Sequence, residues 1–137
     1  MWPVCFVTML PALVKILLIA GGGAVGALCR YGLAGVVQDR FGGSVFPWGT
    51  LVVNVLGCLA IGVLWVFVED KPIFPPEMRD LLMVGLLGAF TTFSTFGLET
   101  VHLVADRQYL AAGANVAGSV ILGLAAVLAG IALARAV

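Results

Sequence analysis

The chain has 137 residues, 62% of them hydrophobic and only 10% charged, with a formal net charge of +0 and a mean hydropathy of +1.17. A soluble domain of this length needs far more charge to cover its surface, whereas lipid-facing surface is apolar on every side; the composition excludes a soluble fold and predicts an all-α integral membrane protein. The absence of any basic run excludes nucleic acid as a partner, because phosphates demand clustered Lys and Arg.

The leading MWPVCFVTMLP, residues 1–11, lacks the basic start of a signal peptide and is read as an N-terminal extension. A helix that crosses the hydrocarbon needs about 20 mostly apolar residues. Four stretches meet that requirement, at about 12–37, 48–68, 81–105 and 109–133, and together they make residues 12–137 one four-helix transmembrane domain. The connections QDRFGGSVFP, EDKPIFPPEMRD and DRQ carry the turn signals. In the second of them Pro72, Pro75 and Pro76 forbid a continuous helix. Cys5, Cys29 and Cys58 fall in apolar stretches without CxxC or Cys/His spacing, so they are read as small hydrophobes, with no disulfide or metal cluster.

Orientation follows Lys and Arg in short loops. The termini and the second loop share a side with Lys15, Lys71, Arg79 and Arg135, against Arg40, Arg107 and Arg30 on the other. That bias is weak, and it leaves two topologies open: one orientation with both termini cytoplasmic, or insertion both ways up with pairing to an inverted copy. Four short helices enclose little, so an oligomer is expected under either. Gly22 and Gly26 in the first helix, with Ala34 on the same face, and Gly57 and Gly62 in the second are the small residues that close helix packing in lipid prefers.

The third stretch contains GAFTTFSTFGLE, Gly88 to Glu99. Its hydroxyls, Thr91, Thr92, Ser94 and Thr95, lie midway along the span, about 15 Å from either end by helical rise. One or two Ser or Thr residues simply bond back to the preceding turn. Four in five positions, flanked by Gly88 and Gly97, predict a third helix broken at mid-membrane. Exposed backbone at that depth is tolerated only where protein or water lines it, and such breaks bind ions. Phe93 and Phe96, three apart, share a helical face, and a ring edge is weakly positive. Weak contacts suit a pore, because an ion held too tightly does not leave.

The other buried polar groups are few. Asn54 lies deep in the second helix, and Asn115 and Ser119 share a face of the fourth. Arg30, Glu99 and His102 lie nearer the helix ends, where Arg30 can snorkel and Glu99 and His102 can pair on one face or be interfacial. Intramembrane polar residues are functional candidates by default. The glycine run at Gly21 lacks a following Lys-Ser or Lys-Thr, so no nucleotide site is expected, and a single His without a nucleophile or metal cluster argues against an enzyme.

Three segments in order, GGGAVGALCRYGL (Gly21–Leu33), PWGTLVVNVLG (Pro47–Gly57) and GAFTTFSTFGLE, resemble the signatures of the small CrcB, or Fluc, fluoride channels, and the third is the most specific. The resemblance covers nearly the whole chain after the extension. It implies an antiparallel, dual-topology homodimer in the bacterial inner (plasma) membrane, with two fluoride pathways and a structural sodium ion at the dimer interface. It places Phe93, Phe96, Asn54, Ser94, Thr95 and Ser119 along the fluoride pathway, with Arg30 near its mouth and Glu99 beyond the phenylalanines. Sodium would be held by the backbone carbonyls of Gly88 and Thr91 from both chains. The implied activity is passive export of cytoplasmic fluoride against toxicity, driven by a membrane potential worth about 2.3 kcal/mol per charge per 100 mV. The sequence departs from the family pattern at Ala89, commonly glycine, and at Asn115, often tyrosine. The rival readings are a proton-coupled small multidrug exporter, which wants a carboxylate in the first helix where none stands, and a non-transporting scaffold subunit, which gives no reason for mid-membrane hydroxyls.

Overall fold

The computed structural model describes residues 9–71 and 73–137, and among these every regular element is helical. Helix α1 is Met9–Arg40; α2 is Trp48–Trp65, and a π-helical turn, Val66–Asp70, continues it. The next span begins with the short α3, Pro76–Met78, and a π-helical stretch, Arg79–Leu87, followed by α4, Gly88–Phe90, and α5, Phe93–Ala105. Helix α6, Tyr109–Arg135, ends the fold. Among the described residues, four segments are long and apolar enough to cross a membrane: Ala12–Arg40, Trp48–Asp70, Arg79–Ala105 and Tyr109–Arg135.

These segments outrun the apolar stretches because hydropathy marks where lipid contact stops, not where backbone hydrogen bonding stops. Gln38, Asp39 and Arg40 are polar yet helical. Gln38 is held by its amide, which donates to the Ser44 and Phe46 carbonyls and accepts from the Gly49 amide. Trp48 stacks on Phe41 at 4.9 Å and packs on Phe46 at 4.6 Å, an aromatic cluster of the kind that sits at a membrane surface. Residues 1–8 of the expected N-terminal extension lie outside the described residues, and its last three open α1.

Close backbone crossings set the bundle, among them the seat of α2 on α1 where a Cβ at Gly49 would strike the Ala34 carbonyl. A Cβ at Gly22 of α1 would collide with the Leu81 carbonyl, and one at Gly85 would lie 2.7 Å from the Ile19 carbonyl, so α1 packs on the third span backbone to backbone. Likewise a Cβ at Gly62 would strike the Val127 carbonyl and one at Gly130 the Leu59 carbonyl, which fixes α2 on α6. The enclosed apolar core is small, built around Leu51, Val53, Val66, Leu87 and Leu103, while large apolar residues such as Leu28, Leu110 and Leu128 face outward. That inversion is what a bilayer as solvent permits.

At the end that carries Asp70 and Arg135, charged side chains pair. Arg79 meets Glu69 at 3.3 Å, and Arg135 meets Asp70 at 2.8 Å with its guanidinium 5.7 Å from the Trp65 ring centre. The α5–α6 connection is tight: Arg107 takes a positive φ of 59°, and the Gln108 amide donates back to the Leu103 carbonyl.

Candidate functional site

Between α4 and α5 the backbone leaves the helix for two residues. Thr91 has φ −87° and ψ 153°, and Thr92 has φ −148° and ψ 118°, both extended. Three side chains hold that shape. Asn54 of α2 accepts from the Thr92 amide at 2.9 Å and donates to the Thr92 carbonyl at 3.2 Å, giving the extended residue the pair of bonds that a strand neighbour would. Thr92 caps α5, its Oγ1 accepting from the Thr95 amide at 3.3 Å and donating to the Thr95 hydroxyl at 3.1 Å. Thr91 turns its hydroxyl back to the Leu87 carbonyl at 3.0 Å. Gly57 of α2 makes room, since a Cβ there would run into the Thr91 methyl group.

Two of these bonds, one from Asn54 and one from the Thr92 cap, have a consequence for the carbonyls. In a continuous helix the Thr92 amide would donate to Gly88 and the Thr95 amide to Thr91. Here those donors go to Asn54 and to the Thr92 hydroxyl, so the Gly88 and Thr91 carbonyls lose their helical partners. Neutral carbonyl oxygens of this kind are hard donors suited to a small hard cation. These two oxygens are donors of the type that the expected sodium ion would take. The neighbouring Ala89 carbonyl is already taken, by Arg30 Nε at 3.1 Å.

A cleft of about 300 Å³ opens beside the interruption, lined by Asn54, Cys58, Phe93, Phe96 and Ser119 together with Thr91 and Thr92. The two rings sit 5.4 Å apart at 44°. Phe93 is 84% exposed, so almost nothing in its own chain covers it. Ser119 Oγ is buried and has no hydrogen-bond partner among the described residues.

On the other side of Thr92 lies a second cavity of about 230 Å³, lined by Arg30, Thr50, Val53, Thr95 and Glu99. Thr50 donates its hydroxyl to Glu99 Oε1 at 2.7 Å, whereas Glu99 Oε2 is buried without a partner. Thr50 and Glu99 also line a third cavity, of about 360 Å³, with Gln38, His102 and Asp106. Together with Ala34, the pair is the lining that the two cavities share.

The structure therefore divides the expected site residues. Phe93, Phe96, Asn54 and Ser119 share one cleft, while Arg30, Thr95 and Glu99 share the next cavity. Ser94 lines neither; it is exposed, with its hydroxyl 3.3 Å from that of Thr92. Glu99 bonds Thr50 rather than His102. Asn115 is 1% exposed and donates to Thr100 Oγ1 at 2.9 Å. Sequence reasoning missed the parts played by Thr50 and Thr92. Thr50 stands four residues before Asn54 on the same helix, and Thr92 three before Thr95 at a helix start; both spacings were legible signals.

The family described as "CrcB-like protein, Camphor Resistance (CrcB)" matches residues 17–131. A protein named "Fluoride-specific ion channel FluC" from Maridesulfovibrio salexigens is 46% identical over 88% of this chain and 95% of its own. One of the same name from Nitratidesulfovibrio vulgaris is 47% identical over 90% of this chain and 98% of its own. Another, from Hahella chejuensis, is 50% identical over 85% of this chain and 91% of its own. A match that runs through all four spans, with relatives this similar along almost their full length, means that the chain belongs to the CrcB-like family.

Proposed function

We propose that the chain is a fluoride-selective ion channel of the bacterial plasma membrane, which lets cytoplasmic fluoride leave passively down its electrochemical gradient and so limits its toxicity. The observation that carries this reading is the cleft at the Thr91–Thr92 interruption, where two rings, an asparagine amide and a hydroxyl without a partner converge. Fluoride is small and strongly hydrated, so a pore must replace its shell with donors. Asn54 keeps one amide hydrogen beyond its bond to Thr92, Ser119 keeps its hydroxyl, and Phe93 and Phe96 offer ring edges. None of these is a fixed cation that would trap the ion. Thr95, Arg30 and Glu99 line the adjoining cavity, through which the pathway would continue with Arg30 near its mouth and Glu99 beyond the phenylalanines; Ser94, exposed beside Thr92, would meet the path only with a second copy in place.

The interruption lies at mid-membrane, and the working unit is an antiparallel homodimer of two oppositely inserted copies. The exposure of Phe93 supports this, because a ring that lines an ion path needs a wall on its other side. The carbonyls of Gly88 and Thr91 from both copies would hold sodium at that interface, where its charge lowers the cost of an anion at mid-membrane. The division of Lys15, Lys71, Arg79 and Arg135 on one side against Arg30, Arg40 and Arg107 on the other fits a chain without a strong orientation preference.

The test is fluoride efflux from liposomes that hold the purified chain alone, read with a fluoride electrode beside chloride-loaded liposomes. Efflux of fluoride but not chloride, lost in Phe93→Ile, is expected. No efflux from folded protein overturns the reading of a self-sufficient channel.

A further inference from the structure

Asn115 is the most enclosed polar side chain among the described residues, on a helix whose other polar groups are sparse. Burying an amide in a membrane protein is costly unless it is bonded. Its partner is Thr100 on α5, whose single hydroxyl proton goes to the Phe96 carbonyl at 2.7 Å, leaving the oxygen's lone pairs to accept from Asn115 Nδ2 at 2.9 Å. The donors therefore run one way, from α6 through Thr100 to the backbone of Phe96. Asn115 lies one turn before Ser119 on α6, and Phe96 and Ser119 line the same cleft. Elsewhere α6 is seated on α2 through Gly62 and Gly130.

From this geometry we infer that Asn115 and Thr100 are positioning residues that fix the distance between Phe96 and Ser119, and through it the discrimination between fluoride and larger halides. Neither touches the cleft; they act through the Phe96 carbonyl and the spacing of α5 and α6. The physical reason is width. Donors set for the smaller ion lose that ion's shell replacement when the walls part, and a wider cleft admits chloride. This inference rests on the fluoride-channel reading.

The experiment compares the parent chain with Thr100→Val, Thr100→Ser and Asn115→Leu in liposomes, measuring fluoride and chloride efflux from the same dimer fraction. Thr100→Val keeps the shape but removes both bonds, and Asn115→Leu removes one and the buried amide with it. Both are expected to lower the fluoride-to-chloride efflux ratio, Asn115→Leu by about tenfold, the equivalent of one lost hydrogen bond of ordinary net strength, and Thr100→Val by at least as much. Thr100→Ser restores the hydroxyl and the parent ratio. If the parent moves fluoride and both apolar variants keep its ratio, the positioning role is wrong. It is equally wrong if Thr100→Ser, which keeps the hydroxyl, falls as far as Thr100→Val, because the ratio then depends on something other than the hydroxyl's two bonds. Should one apolar variant fail to fold, the other decides. A parent that moves no fluoride overturns the channel reading instead, a result distinguishable from both.

Discussion

Asn54 and Thr92 are joined by two hydrogen bonds, one in each direction, although 38 residues separate them in the chain. Through that pair α2 holds open the one place where the third span leaves helical geometry. Replacing Asn54 by Leu removes both bonds and leaves a backbone amide and carbonyl at mid-span without partners. The expected loss is about 1–3 kcal/mol of stability, read by thermal unfolding in detergent, together with loss of fluoride efflux. Unfolding at the parent temperature would show that the interruption stands without this pair.

Thr92 holds the same place from the other side, as the cap of α5. Thr92→Val removes the oxygen that the Thr95 amide donates to and is expected to cost about 1 kcal/mol, whereas Thr92→Ser retains the cap. The check is the difference in unfolding midpoint between the two variants, and equal midpoints would contradict the capping role.

The α2–α6 crossing predicts a steeper response. A Cβ at Gly130 would meet backbone atoms of Leu59 and Val63, which cannot rotate away as a side chain would. Gly130→Ala is expected to destabilise by about 1–3 kcal/mol. Gly113→Ala, with nothing within 4 Å of the added carbon, is the comparison within the same helix. Similar unfolding midpoints for the two would mean that the crossing is looser than described.

Arg135 and Asp70 predict the opposite kind of result. Their side chains are 53% and 35% exposed, so solvent screens the pair despite its 2.8 Å separation. A double-mutant cycle with Arg135→Ala and Asp70→Ala is expected to give a coupling of about 0–1 kcal/mol that shrinks with added salt, and fluoride efflux unchanged. A large, salt-insensitive coupling would place the pair in a drier setting than its exposure indicates.

How far these relationships can be read in advance depends on their range. The four spans are legible because lipid contact demands about 20 apolar residues in sequence, a purely local requirement. The spacing of Phe93 and Phe96 is local too, and a three-residue step brings their rings to 5.4 Å. The partner of Asn54 is not legible: it is a main-chain group on another helix, and nothing in the composition of α2 marks it. The same holds for Arg30, whose contact is the Ala89 carbonyl 59 residues away, and for Asn115, whose amide points at Thr100. Helix ends fail for a separate reason, since Gln38, Asp39 and Arg40 stay helical where the apolar pattern has already stopped. Residue type reveals that a polar group in the membrane needs a partner, and only the fold reveals which one.

Selective passage of one anion is read most directly from the reversal potential of the chain in a planar bilayer with a tenfold fluoride gradient and equal chloride on both sides. A fluoride-selective channel reverses near the fluoride equilibrium potential, about 59 mV for a tenfold gradient of a single charge. Reversal near zero, or a shift when chloride rather than fluoride is varied, would mean that the chain does not select fluoride.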